Sequence, residues 1–204
     1  MDRRTLLAAL PATAIALGAL RWQPALAQEA EIPDMVLGDP AAKVEVIEYA
    51  SFTCPHCARF HTDVFPRLKA DYIETGKVRF VYREVFFDRP GLWAAMVARC
   101  GGTERYFGIA DLIYKGQANW VRGNTPAEVA DNLRRIGRTA GLSADELEAC
   151  LTNADLARGL VARYEQQSAE HGINSTPSFV IDGTKYGNMS FDDFAAIIDK
   201  RLGV

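Results

Sequence analysis

From residue 43 onward the polar and apolar positions follow two distinct rhythms. Lys43 to Ala50 (KVEVIEYA) is rich in β-branched and aromatic residues, which predicts a strand. Pro55 suits the first turn of a helix. Phe60, Val64 and Leu68 then recur at four-residue intervals until Thr75-Gly76 ends the element. Pro66 lies inside that pattern, so a kinked helix is expected. Lys77 to Phe87 (KVRFVYREVFF) predicts a second strand. Strand, helix and strand in this order form a β-α-β unit, which favours parallel, right-handed pairing.

Asp88 to His171 shows no strand rhythm and several helix signals. Thr125-Pro126-Ala127-Glu128 reads as a capping box with proline at the first helical position, followed by Val129, Leu133 and Ile136 on one face and Gly141 as terminator. Ser143 to Glu146 repeats the box. Asn153 opens a further helix that carries Leu156, Leu160 and Tyr164 and stops at Gly172. Ser178 to Asp182 is a short strand, turned by Gly183 into a hairpin partner around Thr184 to Tyr186. Ser190 caps a last helix with Phe191, Phe194, Ile197, Ile198 and Leu202 on its sheet-facing side. Residues 28–42 are polar and irregular, with turns at Pro33 and at Gly38-Asp39-Pro40. The order β-α-β, helices, β-β-α predicts one α/β domain built from residues 28–87 and 172–204, with residues 88–171 as an inserted helical domain.

Residues 1–27 read as a cleaved leader rather than part of the fold. Arg3 and Arg4 precede an apolar run from Leu6 to Leu20, and Ala25-Leu26-Ala27 supplies the cleavage signal of an exported protein. The run is short for a bilayer span and holds Pro11. The paired arginines are also a feature of twin-arginine export leaders, so either export route is open. Hydrophobic residues make up 49% and charged residues 24% of the 204, an ordinary composition for a soluble globular chain. Lys plus Arg number 23 against 26 Asp plus Glu, and no basic run occurs, so nucleic-acid binding is not expected. A soluble monomer in an oxidising compartment is expected, and all four cysteines survive cleavage.

Cys54-Pro55-His56-Cys57 lies where a strand hands over to a helix. The first helical turn offers unpaired N–H groups and the positive end of the helix dipole, both of which stabilise a thiolate. Cys54 is therefore the expected nucleophile, with a lowered pKa. A protonated His56 would add positive charge beside the same sulfur. Stabilising the thiolate favours the reduced form and makes the corresponding disulfide a stronger oxidant. The spacing places Cys57 one turn further in, where it can close the bridge. A zinc site using His61 lacks a fourth ligand in the sequence, and a purely structural disulfide at this spacing is strained. Glu48 shares a strand face with Val44, Val46 and Ala50 by alternation. It is either a buried carboxylate able to take a proton from Cys57 or a solvent-facing edge residue. Thr176-Pro177 is either an edge-strand breaker or a cis bond aiming the Thr176 backbone at the dithiol.

Phe52-Thr53-Cys54-Pro55-His56-Cys57, with Glu48 upstream, a central helical insertion and a late Thr176-Pro177, resembles the DsbA family of periplasmic disulfide oxidases over about Val44 to Leu202. The resemblance implies a thioredoxin-like fold. It also implies Cys54 as exposed nucleophile, Cys57 as buried partner, His56 as tuner of oxidising power and Glu48 as buried acid. Thr176 and Pro177 would form a cis-proline loop that contacts substrate backbone. No organic cofactor or metal is implied. The implied partners are reduced or unfolded exported proteins and a membrane quinone reductase of the DsbB type.

Cys100 and Cys150 belong to no C-x-x-C motif. A local pair at Cys54 and Cys57 leaves them to each other as a structural disulfide, against the alternative of two separately buried thiols. Similar pairs occur in alphaproteobacterial members of the family. Phe86, Phe87 and Trp93 either frame a hydrophobic substrate groove or belong to the core. His171 is expected at a helix C-terminus, and His61 is expected as a solvated helix residue. The leading expectation is an oxidase that donates its disulfide to folding proteins. The alternatives are an isomerase or reductase using the same chemistry, and a non-enzymatic chaperone or metal carrier using Cys54, Cys57 and His61.

Overall fold

The structure is a computed structural model and describes residues 32–204; the leader read into residues 1–27 lies outside the described residues. A five-stranded mixed sheet forms its centre, in the order β1-β3-β2-β4-β5. These strands are β1 (Met35–Leu37), β2 (Val44–Ala50), β3 (Val78–Glu84), β4 (Ser178–Ile181) and β5 (Thr184–Tyr186). β2 and β3 pair in parallel, as the β-α-β order predicts, and the remaining pairings are antiparallel. β1 is a departure from expectation. Residues 28–42 were expected to be irregular, but Met35 to Leu37 pair with Phe80 to Tyr82 and cover one sheet edge. Three residues are too few for alternation to show in the sequence.

Alternation along the central strands sorts the core into two clusters. Val44, Val46, Ala50, Phe80, Tyr82, Phe179 and Ile181 face one side, with Phe60, Leu68, Phe194 and Ile198 from the covering helices. Ile47, Tyr49, Val81 and Val180 face the other, against Tyr164 and Ile173. β2 therefore lies between two neighbours and is covered on both faces, so a polar side chain on it is shut off from water. Glu48 occupies such a place, with Tyr82 and Phe179 as its registered neighbours.

The helix after β2 does not run regularly past Pro66; where a kink was expected, the structure shows widened turns. It runs as α1 (Pro55–Arg59), a wide turn over Phe60–Val64, α2 (Phe65–Leu68) and a second wide turn over Lys69–Ile73. Pro66 has no N–H to donate and its ring crowds the preceding turn. The chain responds by widening to an i→i+5 bond, in which the Phe65 N–H donates to the Phe60 carbonyl.

Six helices fill the stretch between β3 and β4: α3 (Arg89–Cys100), α4 (Gly102–Lys115), α5 (Gln117–Trp120), α6 (Pro126–Thr139), α7 (Ala144–Leu151) and α8 (Ala154–Glu170). Ser143 forms a complete capping box with Glu146. The box at Thr125 is half made. Its hydroxyl accepts from the Glu128 N–H, but the Glu128 carboxylate takes the Asn124 N–H instead. α9 (Phe191–Leu202) closes the domain under a Ser190 cap. A buried ion pair ties the insertion to the sheet. Arg99 reaches both Glu84 oxygens at 2.7 Å, the Tyr106 hydroxyl donates to the same carboxylate at 2.8 Å, and Arg99 also donates to the Pro33 carbonyl.

No helix of the described residues is long and apolar enough to cross a membrane. A disulfide joins Cys100, at the end of α3, to Cys150 in α7, across 50 residues. A loop of that length loses unfolded-state entropy equivalent to about 4 kcal/mol at 25 °C. Replacing both cysteines with alanine is expected to lower the unfolding free energy by up to that amount in denaturant titration. A loss below about 1 kcal/mol would show that packing and the Arg99 ion pair alone hold these helices in place.

Candidate active site

Cys54 sits at the N-cap of α1, and its extended backbone (φ −80°, ψ 120°) turns the chain from β2 into the helix. Pro55 takes the first helical position, where a missing N–H costs nothing. The approach is fixed from both sides. The Cys54 N–H donates to the Ser51 carbonyl at 3.1 Å, and the Ala58 N–H donates to the Cys54 carbonyl at 3.1 Å. Gln117 of α5 donates from its buried amide to the carbonyls of Phe52 (2.7 Å) and Cys54 (3.0 Å), so the helical insertion holds the loop directly.

The two thiols occupy opposite environments. Cys54 is half-buried, and Cys57, one turn in, is completely buried. The Cys57 thiol donates to the Cys54 sulfur, the Thr176 side chain and the N–H groups of Cys57 and His56 add further hydrogen bonds, and together they lower Cys54 from the ordinary thiol value of 9.0 to about 5, against an opposing desolvation. Burial pushes Cys57 far in the other direction, reinforced by its hydrogen bond to Cys54 and the nearby Glu48 charge. The pair therefore consists of one thiolate and one thiol at neutral pH.

The loop facing the dithiol carries Thr176-Pro177, whose peptide bond is cis. The Thr176 carbonyl oxygen lies 3.5 Å from Cys54 Sγ. Thr176 and Pro177 are thus brought together with Cys54, Pro55 and Cys57. The His56 ring is exposed, and its Nδ1 accepts from Arg59 at 2.7 Å. The His56 backbone N–H is among the groups that favour the Cys54 thiolate.

Glu48 is fully buried, so the solvent-facing alternative falls. His61 corrects another expectation, because it is not solvated. Only 6% of it is exposed, its Nε2 lies 2.9 Å from Glu48 Oε2, and its ring stacks on Tyr114 with centroids 4.2 Å apart. The signal was present in the spacing. Cys57, His61 and Leu68 fall on one helical stripe at intervals of four and seven, so a residue sharing the buried face of Cys57 should itself be buried. Gln117 left no comparable signal, since a single glutamine in a helical block looks like surface. Cys100 and Cys150 lie in the insertion rather than in the dithiol loop. Phe86 is partly buried against Tyr164, Trp93 packs on the main core and Phe87 is exposed. His171 caps α8, and its Nδ1 lies 2.6 Å from the Tyr49 hydroxyl.

Because Cys54 ionises more readily in the folded protein, its thiolate adds stability to the reduced form. That contribution is complete above the ordinary value of 9.0 and is lost as pH falls toward about 5. The oxidised form has no such contribution. The difference in unfolding free energy between reduced and oxidised protein is therefore expected to shift in favour of the oxidised form as pH falls through this range. Denaturant titration of each redox form would show it, and a difference independent of pH would contradict the assignment.

Similarity to known proteins is consistent along the whole described region. A family model described as thioredoxin matches residues 30–200. A Rickettsia conorii protein named for protein-disulfide oxidoreductase activity is 38% identical over 170 residues, which is 83% of this chain and 60% of the relative. The chain thus spans about 60% of the length of that curated relative. Among solved structures, alpha-DsbA1 of Wolbachia pipientis superposes with a TM-score of 0.78 at 32% identity, covering 85% of this chain and 93% of that one. A protein-disulfide isomerase of Novosphingobium aromaticivorans gives 0.76 at 26% identity, covering 84% and 98%.

Proposed function

The chain belongs to the thioredoxin family and, within it, to the DsbA-type proteins, and from that premise we propose that it is a periplasmic thiol:disulfide oxidoreductase that introduces disulfide bonds into exported proteins. The observation that carries this reading is the asymmetry of the dithiol, a half-buried Cys54 lowered to about 5 beside a buried Cys57 thiol. A sulfur that is stable as thiolate is a good leaving group and makes its disulfide easy to reduce, which is what an oxidant of other thiols needs.

In the proposed reaction a substrate thiolate attacks Cys54 Sγ of the oxidised protein. The Cys54–Cys57 bond breaks, its electron pair leaves on the Cys57 sulfur, and that buried sulfur takes a proton by way of Glu48. A second substrate thiolate then attacks the substrate sulfur of the mixed disulfide and expels Cys54 as thiolate. The substrate has lost two electrons and the enzyme dithiol has gained them. Pro55 and His56 shape the start of the helix, and Thr176 and Pro177 present backbone to the substrate chain beside Cys54. Reoxidation would fall to a membrane quinone reductase of the DsbB type. The leader at residues 1–27 supports export, and the working form is a monomer without metal or organic cofactor.

The Novosphingobium neighbour, named as a protein-disulfide isomerase, favours a second reading, reshuffling of wrong disulfides by the reduced protein. The metal-carrier reading has no such support. His61 Nε2 is engaged by Glu48, and no group of three His, Cys, Asp or Glu side chains placed to hold a metal ion occurs among the described residues.

The oxidised protein is expected to accelerate recovery of activity by a reduced, unfolded ribonuclease. Cys54→Ser should abolish the effect, and Cys57→Ser, first loaded at Cys54 as its glutathione mixed disulfide, should release glutathione thiolate to an attacking substrate thiolate and accumulate the Cys54–substrate mixed disulfide. No acceleration by the oxidised form, with rescue of scrambled ribonuclease by the reduced form, would move the assignment to isomerase.

A further inference from the structure

The proton that Cys57 must gain or lose has a definite place to go. Glu48 sits at mid-sheet with no exposed surface. One of its oxygens, Oε1, has no hydrogen-bond partner among the described residues, while Oε2 is held at 2.9 Å by His61 Nε2. A buried carboxylate with a free oxygen is costly unless it carries a proton part of the time or shares one. His61 is the neighbour that can share it. Its side chain keeps about a twentieth of its surface, whereas the carboxylate keeps none.

We propose that His61 is the positioning residue of this proton exchange: its Nε2 holds the Glu48 carboxylate, and it shares the proton that the carboxylate trades with Cys57. This rests on the dithiol-exchange reading and deepens it. When Cys57 closes the disulfide, its S–H bond breaks and the proton passes to the Glu48–His61 pair. The new bond joins Cys57 to Cys54, and the departing thiolate leaves Cys54 with the electron pair. In the opposite direction the pair returns the proton to the Cys57 sulfur as the disulfide opens.

The other groups facing the pair are suited to this. Tyr82 of β3 and Tyr114 of α4 hydrogen-bond to each other at 2.6 Å, and burial raises both hydroxyls well above their ordinary value. Both therefore stay protonated where the pair exchanges its proton. Phe60 and Phe65 cover the remaining sides of the imidazole. Cys57, on the same helical stripe, is the remaining titratable neighbour. The Tyr114 ring stacks on the imidazole and holds the plane in which Nε2 meets Glu48.

The test uses the full chain in its reduced form, mixed with glutathione disulfide and quenched in acid at intervals. Mass spectrometry separates formation of the Cys54–glutathione mixed disulfide from its closure by Cys57. His61→Gln keeps a hydrogen-bond donor for Glu48 and carries no exchangeable charge. It is expected to slow closure about tenfold relative to formation near neutral pH, part of what a positioned base contributes. Its closure profile should lose an ionisation. Glu48→Gln/His61→Gln should close no more slowly than Glu48→Gln alone, since two residues sharing one proton are not additive. Equal slowing of both steps, or closure with an unchanged pH profile, would overturn the proposal and leave the exchange reading standing. Absence of any exchange by the unaltered protein would overturn both. A measurement without substitution decides independently. The 15N shift of His61 Nε2 should move between oxidised and reduced protein at pH 7, and an identical shift in both states would overturn the proposal even if His61→Gln fails to fold.

Discussion

Two sulfur atoms one helical turn apart are held in opposite protonation states, and most of the fold around them serves that difference. Cys54 needs donors and partial access to solvent. Cys57 needs complete burial. A helix start emerging from a central strand supplies both, because its first residue faces outward past unpaired N–H groups while the residue three positions on turns into the core. The parallel pairing of β2 with β3 sets the helix across the sheet. The cis-proline loop before β4 then closes over the same end, leaving the Thr176 carbonyl within reach of Cys54.

The helical insertion is part of this arrangement. Gln117 spends its buried amide on the carbonyls of Phe52 and Cys54, so the dithiol loop is fastened to α5 as well as to the sheet. Arg99 fastens the base of the same insertion to Glu84 and to the segment before β1. Removing one partner from such a buried ion pair typically costs about 3–5 kcal/mol. The insertion therefore cannot shift far without moving the loop that carries Cys54. Beneath the loop, the buried Glu48–His61 pair has as polar neighbours Tyr82 and Tyr114, whose hydroxyls burial keeps protonated.

Much of this could be read from the amino-acid order. The dithiol motif, the paired strands, the helical block and the closing hairpin with its helix all follow from periodicity and turn residues. Glu48 was legible as a question, because alternation put it on an apolar face without saying whether that face was covered. Its burial depends on β4, a strand that returns more than a hundred residues later. β1 was missed because three residues carry too little pattern, and its pairing is a tertiary event. His61 was misread because histidine is ordinarily taken as solvated, although its spacing from Cys57 put it on the buried stripe. Gln117 was invisible, since nothing local marks a glutamine whose partners are backbone carbonyls sixty residues earlier.

The central claim is that this environment makes the Cys54–Cys57 disulfide a strong oxidant. The most direct measurement is its reduction potential, taken by equilibrium with glutathione, acid quenching and mass mapping of the two sulfurs so that Cys100 and Cys150 are scored separately. The account predicts a potential well above that of the glutathione couple, with the Cys54 thiolate as the reason. A value near or below that of thioredoxin, about −270 mV, would contradict it and make the protein a reductase.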